Sequence, residues 1–174
     1  VSHDSVGTLT LTFESFIFAD VLVYNSAAEL VARNPNVSGS QQTPIGVTES
    51  DYHWIAVYQD YQYTGQYSLS VQFNSEEVSA EVERNNTATQ ANELTNSQTL
   101  KGHLYNATDE DWYKIEHGTS GTLQFTFANY TFYDLQVYNA AGVVVATDQN
   151  VSGSQTISVG FNYSGYHYVR IYDG

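Results

Sequence analysis

The chain has 174 residues, enough for one large domain or two small ones, and 41% of them are hydrophobic, so a packed core is feasible. It contains no cysteine, which excludes disulfides, thiol catalysis and cysteine-rich zinc sites. The formal net charge is −14 with only five Lys plus Arg, which argues against nucleic acid as a partner, because phosphates require a basic surface.

Alternating apolar and polar residues predict strands along the first part of the chain. Thr8–Phe13 alternates with a period of two, and Val21–Tyr24 is predicted as a second strand that ends at an Asn turn. Tyr67–Phe73 is predicted as a further strand. A helical turn is predicted near Ala88–Leu94. Fifteen Tyr and eight Phe in the whole chain also favour strands over helices.

The second part of the chain shows the same alternation after an acidic stretch. The predicted strands are Trp112–Ile115, Thr122–Phe127, Leu135–Tyr138, Val143–Ala146, Thr156–Phe161 and Tyr166–Tyr172. Short strands at a spacing of about 8–12 residues, separated by Gly, Asn and Ser turns, are typical of antiparallel sandwiches. The sequence therefore predicts an all-β protein built from antiparallel β-sandwich modules.

An internal repeat organises the sequence. Residues 1–60 align without a gap with residues 115–174 at a constant offset of 114 (117 − 3), and 25 of the 60 positions are identical. We therefore predict tandem 114-residue repeats. Residues 1–75 form the C-terminal part of a first sandwich, and residues 76–174 form a linker plus a second sandwich that lacks its last strand.

The phase of the repeat suggests how the protein assembles. The first copy lacks the equivalent of residues 81–113, and the second lacks the equivalent of the strand at residues 67–73. A sandwich that lacks a strand exposes unpaired backbone groups, which invite a strand from another chain. A head-to-tail contact that does not close on itself produces a filament. The alternative is that these residues are a window on a longer repetitive chain, or that the termini are trimmed.

The stretch from Glu81 to Ile115 carries the most informative polar residues. Oxygen-bearing side chains occupy alternate positions at its start, and an Asp-Glu-Asp run closes it just before an aromatic strand. Oxygen ligands of this kind suit calcium, which takes six to eight of them in flexible geometry. The alternative is an acidic linker whose charges are simply solvated.

Several short patterns in this half of the chain resemble a known family. They are Glu-x-Glu-x-Asn-Asn from Glu81, Gly102-x-Leu104, Asp109-x-Asp111-Trp-Tyr and Tyr166-His-Tyr-Val-Arg-Ile. Together they resemble the bacterial and archaeal pre-peptidase C-terminal domain, a group that includes the collagen-binding domains of bacterial collagenases. The resemblance covers residues 81–174, with a second partial copy before it.

This resemblance implies a small, jelly-roll-like antiparallel β-sandwich with calcium bound at its N-terminal linker. The ligands carried over by position are Glu81, Glu83, Asn85, Asp109 and Asp111. One departure is that Asn86 stands where collagen-binding relatives often have Asp, which removes one negative charge from the expected site.

Catalytic motifs are missing from the sequence, and we predict that the protein is not an enzyme. There is no Gly-x-Ser-x-Gly elbow and no His-Glu-x-x-His zinc helix. Four of the five histidines occupy matching positions in the two copies, His3 with His117 and His53 with His167, which favours a structural role. Asp20 and Asp134 also match, and we predict that they fix turns.

Surface features point to an extracellular location. Six Asn-x-Ser/Thr sequons are candidate glycosylation sites: Asn36, Asn85, Asn106, Asn129, Asn150 and Asn162. Clustered tyrosines could form a ligand-binding face; the candidates are Tyr61, Tyr63, Tyr163 and Tyr166. No stretch approaches the roughly 20 apolar residues of a membrane helix, so no membrane span is expected.

The sequence therefore predicts a non-catalytic extracellular structural repeat protein of the cell surface, which assembles with itself head to tail by strand complementation into a filament or surface layer. The alternative is a calcium-stabilised module of a secreted hydrolase that binds collagen, another extracellular protein or polysaccharide.

Overall fold

The fold was analysed in a computed structural model that describes residues 1–48, 51–58, 65–75 and 79–174, apart from the side chains of residues 15–17 and 129–131. The described residues form an all-β protein with strongly curled, largely antiparallel sheets, and their one helical element is a 3₁₀ turn at Ala88–Gln90. Within this part of the chain, no helix is long and apolar enough to cross a membrane.

The chain divides into two compact units. The first unit comprises Val1–Arg84 with Thr99–Tyr105, and the second comprises Asn85–Gln98 with Asn106–Gly174. The boundary predicted after residue 75 separates two copies of a sequence repeat, which is a different division from that into compact units. It stays a prediction.

Six strands are described in the first unit. They are β1 (Ser2–His3), β2 (Gly7–Tyr24), β3 (Leu30–Val47), β4 (Asp51–Tyr52), β5 (Trp54–Tyr58) and β6 (Ser68–Asn74). Strand β2 is central, because β3 pairs along one edge while β5 and β6 pair with opposite ends of the other edge. The short strands β1 and β4 pair with each other.

Strand β2 is longer than the sequence predicts, because it joins the two predicted strands at residues 8–13 and 21–24 into one. Its pairing with β3 shifts register between Phe13 and Val21, and Phe18 takes a left-handed φ of 46° within this interval. Bulges bend a strand without ending it. The chain therefore turns a corner here without a Gly or Pro turn, which is why the sequence did not reveal the continuity.

The core of the first unit is formed by alternate residues of β2 and β3. Leu9, Leu11 and Phe13 of β2 are completely buried, as is Val37 of β3. The period-two pattern predicted this face correctly, since alternate side chains of a strand point to the same side. Each buried aliphatic or aromatic side chain of this size contributes about 1.5–3 kcal/mol relative to exposure.

Five strands are described in the second unit. They are β7 (Asn92–Leu94), β8 (Glu110–His117), β9 (Gly121–Asn139), β10 (Val144–Phe161) and β11 (Gly165–Tyr172). They form one sheet in the order β10-β9-β11-β8-β7, in which β7 pairs with β8 in parallel. As in the first unit, a long strand replaces two predicted ones, since β9 joins residues 122–127 to 135–138 and has Phe132 at a φ of 54°.

Strands β8, β11 and β9 are fastened together by one arginine. The Nε and Nη2 atoms of Arg170 on β11 donate to the two carboxylate oxygens of Glu110 on β8, at 2.8 and 2.5 Å, and Nη1 donates to Gln136 on β9 at 3.2 Å. Burial raises the pKa of Glu110, but the hydrogen bonds from Arg170 and Trp112 outweigh it and lower the pKa overall. The carboxylate therefore stays ionised, and the bidentate pair links β11 to β8 while the hydrogen bond to Gln136 links β11 to β9.

Candidate functional site

The open edge of β9 is the clearest difference between the two central strands. In β2, residues 8–13 pair with β6 on one side and with β3 on the other. The corresponding residues of β9, 122–127, pair with β10 on one side. On the other side of residues 122–126 none of the described strands pairs, because β11 reaches only from Asp134 to Asn139.

The apolar side chains of β9 next to this edge are also less completely buried than their equivalents in β2. In the first unit Leu69, Val71 and Phe73 of β6 pack against the core, and the β2 residues beneath them, Leu9 and Phe13 among them, are 0% exposed. The equivalents in β9 are Leu123, which is half-buried, Phe125 at 7% and Phe127 at 8%. The stretch contains neither a charge nor a proline, the features with which proteins usually protect an edge strand.

The predicted calcium ligands are divided between the units, and Glu81 and Glu83 belong to the first. Glu81 is 6% exposed, and its carboxylate accepts a hydrogen bond from the backbone N–H of His103. Its own backbone is fixed as well, since Gly46 N–H donates to its carbonyl at 2.9 Å. Both glutamates line a cavity of about 240 Å³, together with Lys101 and His103.

The other three predicted ligands belong to the second unit and are all buried. Asn85, Asp109 and Asp111 are 0%, 1% and 2% exposed. The backbone N–H of Trp112 donates to the Asn85 carbonyl at 3.0 Å, which ties the start of this unit to strand β8. These residues therefore lie on firmly held backbone.

The donor types in the second unit fit calcium. The acceptor atoms of the two buried carboxylates and of the amide are all oxygens, which are the ligands that calcium prefers. Burying a carboxylate costs free energy unless a positive charge or hydrogen bonds compensate for it. Asn86, which stands where collagen-binding relatives often have Asp, contacts one of these carboxylates. With its amide oriented to suit its neighbours, Asn86 donates to Asp109 Oδ1 at 3.1 Å and to the Glu110 carbonyl at 3.2 Å. Asn86 thus supports Asp109 where an Asp would repel it.

Asp20 and Asp134 fix turns, as the sequence predicts. Asp20 Oδ1 accepts the backbone N–H of Asn36 at 2.8 Å, and Asp134 Oδ1 accepts that of Asn150 at 2.9 Å. Both Asn residues have a φ of 53°. The hydrogen bond from Arg33 is the main reason why the pKa of Asp20 is lowered, with Asn36 and Tyr58 adding to it.

The sequons differ in exposure. Asn36, Asn106, Asn150 and Asn162 are exposed, whereas Asn85 is fully buried and leaves no room for a glycan in the folded unit. The side chain of Asn129 lies outside the described residues.

Two of the predicted ligand-binding tyrosines, Tyr163 and Tyr166, lie in the second unit and are described by the structure. Tyr163 is 40% exposed, but its hydroxyl lies 3.3 Å from His167 Nε2. Tyr166 is half-buried under Lys114, whose Nζ lies 5.0 Å from the ring centroid. Tyr61 and Tyr63 lie outside the described residues.

The matching histidines contact each other, which the sequence analysis missed. His3 Nε2 lies 3.0 Å from His53 Nδ1, and His117 Nε2 lies 2.9 Å from His167 Nδ1. The signal that could have found these pairs is their identical separation of 50 residues in the two copies.

A comparison of the chain with protein-family models finds no match, and a comparison with curated proteins finds none either. The resemblance to pre-peptidase C-terminal domains therefore stays a prediction.

Gly46 holds the segment that carries Glu81, and a matched glycine provides a control. A Cβ on Gly46 would lie 2.5 Å from the Ala80 carbonyl oxygen and 2.6 Å from that of Glu81, whereas a Cβ on Gly160 meets nothing within 4 Å. Gly46→Ala is therefore expected to lower the free energy of unfolding by about 1–3 kcal/mol, and Gly160→Ala to change it little. Urea unfolding midpoints measure both, and equal midpoints for the two variants would contradict the packing described here.

Proposed function

We propose that this chain is a non-catalytic structural module of an extracellular assembly, in which the open edge of β9 pairs with a strand from a neighbouring copy. The single observation that carries this proposal is the difference between β2, paired on both sides, and β9, which over residues 122–126 pairs on one side only with the strands that the structure describes. An unprotected edge beside an apolar face is the usual acceptor in strand addition.

The count of strands favours a shared edge over an exchanged strand. Among the described strands, β6 pairs with β2, and no second strand of this kind pairs with β9. An exchange of β6 between copies would therefore fill the edge of β2 and leave that of β9 open. On the side of β5 away from β2, none of the described strands pairs with residues 54–57. Its residues Trp54 and Tyr58 are 59% and 39% exposed.

Pairing of β9 in one copy with β5 in the next would satisfy both edges, one of each per chain. Two different surfaces then meet at every junction, and such a contact extends into a filament unless it closes into a ring. This arrangement is the form of head-to-tail complementation that we propose.

A peptide with the sequence of residues 67–74 tests the acceptor edge. It should bind β9 in the register that β6 adopts on β2, with Phe73 opposite Leu123 and Leu69 opposite Phe127. Binding is measured by fluorescence anisotropy of the labelled peptide. Electron microscopy then shows whether excess peptide shortens the filaments, which we expect because it caps the acceptor edge.

Two glycine substitutions provide matched controls. A Cβ on Gly7 would collide with the Asn74 carbonyl of β6, so a Cβ on its equivalent Gly121 should obstruct the peptide in the same register. Gly121→Ala is expected to weaken binding at least about tenfold, a change of about 1.4 kcal/mol. Gly160→Ala on the far strand β10 should leave binding unchanged. A chain that stays monomeric at every concentration and binds no peptide would overturn the proposal.

The exposed sequons support the extracellular part of the proposal. Asn36 and Asn150 are equivalent positions on matching bends, and both are exposed. The acidic surface with its net charge of −14 would keep unassembled chains apart at low salt.

The buried acidic residues of the second unit favour a second candidate, a calcium-stabilised binding module of a secreted hydrolase. Its support is the nearly complete burial of Asn85, Asp109 and Asp111. Carboxylate oxygens of this kind are typical calcium ligands. The collagen or polysaccharide partner of such a module rests on the resemblance alone.

Calorimetric titration with calcium, at neutral pH and after treatment with a chelator, tests the second candidate. Calcium should raise the melting temperature, since a ligand that binds only the folded state stabilises it. Asp111→Asn should remove most of that increase. Glu116→Gln removes one charge from an exposed position of the same strand and should preserve the increase. No heat of binding and no change in melting would dispose of this candidate.

A further inference from the structure

Each unit contains a pair of histidines in direct contact, in which His117 is half-buried and the other three rings are buried. The pairs join Nε2 of His3 to Nδ1 of His53 at 3.0 Å, and Nε2 of His117 to Nδ1 of His167 at 2.9 Å. His3 and His53 are each 7% exposed, and His167 is 1% exposed. Two nitrogens at this distance share one proton, so each pair requires one ring to donate and the other to accept.

The surroundings decide which ring donates. In both His3 and His117 the remaining nitrogen, Nδ1, is buried and has no hydrogen-bond partner among the described residues. A buried N–H that lacks an acceptor is rarer, and costs more free energy, than a buried unprotonated ring nitrogen that lacks a donor. The proton therefore lies on Nε2 of these two rings, which donate to their partners. His167 then carries its own proton on Nε2, 3.3 Å from the Tyr163 hydroxyl oxygen that accepts it.

A second proton has no favourable place in either pair. On Nδ1 of the donating ring it would be a buried N–H without an acceptor, and on the accepting ring it would break the hydrogen bond between the rings. Aromatic rings adjoin both donors, with Phe73 stacked at 5.4 Å from His3 and Phe161 at 4.0 Å from His117. A positive charge would therefore be buried among groups that solvate it poorly.

The charged groups near the two pairs differ. Burial and then His3 lower the pKa of His53, the carboxylate of Asp51 raises it, and the amino group of Val1 lowers it. Burial and then His117 lower the pKa of His167. The Tyr163 hydroxyl faces His167. Among the described groups, a carboxylate that favours protonation acts on His53 and none acts on His167, so we expect the second pair to be the less tolerant of acid.

We propose that the two histidine pairs are acid-sensitive clamps, which fasten the end of β1 to β4 and the end of β8 to β11 and release them in mild acid. His3 is the last residue of β1, and β1 pairs with β4. His117 is the last residue of β8 and lies opposite Gly165 at the start of β11. This device acts within each unit and does not depend on pairing at the edge of β9.

The direction of the pH effect follows from linkage. In an unfolded chain a histidine gains a proton near pH 6.5, whereas burial lowers the pKa of His53 and of His167 in the folded units, so that these two rings resist protonation to lower pH. The stabilisation is fully present above about pH 6.5 and is lost as the pH falls from there towards the folded pKa. For each histidine held neutral, the unfolding equilibrium constant rises up to about tenfold per pH unit in this window.

Thermal unfolding of the full chain at pH 7.5 and 5.0 tests the clamps. We expect a marked fall in melting temperature for the wild type. His117→Gln should reduce this fall, because a glutamine amide can turn and accept a hydrogen bond from protonated His167. His103→Gln is the matched control, since the His103 side chain is exposed, and it should behave like the wild type. An undiminished fall in the His117→Gln variant would overturn the proposal.

Histidine NMR of the wild type gives an answer even where a variant does not fold. Nitrogen shifts should show His167 neutral, with its proton on Nε2, at pH values below 6 for as long as the chain remains folded. Formation of folded His167 imidazolium near pH 6.5 would contradict the clamp.

Discussion

The rest of the structure depends on one constraint, which is that the backbone N–H and C=O groups of the two long strands need hydrogen-bond partners. Strands β2 and β9 each bend through left-handed residues and bulges, so that one end pairs with different neighbours from the other. In β2 both ends find partners on both sides. In β9, residues 122–126 pair on one side only with the described strands, and an open strand edge beside an apolar face is unfavourable unless water or another strand satisfies it.

Local polar interactions hold the frame around these strands. Asp20 and Asp134 each accept a backbone N–H at a left-handed bend, and Arg170 joins three strands through Glu110 and Gln136. The histidine pairs add a contact of another kind, because it depends on both rings staying neutral. In the second unit, the ion pair between Arg170 and Glu110 should persist in mild acid, whereas the hydrogen bond between His117 and His167 should not.

Period-two alternation was enough to predict the strands and the buried face, because Leu9, Leu11 and Phe13 follow that rule without exception. It could not show that residues 8–13 and 21–24 belong to one strand, since a bulge needs no turn residue. The helical turn expected over Ala88–Leu94 is a 3₁₀ turn at its start and strand β7 at its end.

The site was only partly visible in the sequence. Spacing indicated which acidic residues matter, but it could not show that Asp109 and Asp111 are buried or that Asn86 donates to Asp109. The contact between His117 and His167 depends on the register of β8 and β11, which pairs Gly165 with His117. Register is a tertiary property, so residue types alone did not reveal the pair.

Native-state hydrogen exchange tests the central claim about the edge of β9 most directly. In a dilute solution of single chains, the outward-facing amides of residues 122–126 should exchange much faster than the matched amides of residues 8–12, and they should become protected when chains assemble. Equal protection of the two stretches in single chains would show that the edge is already satisfied, and would contradict the account.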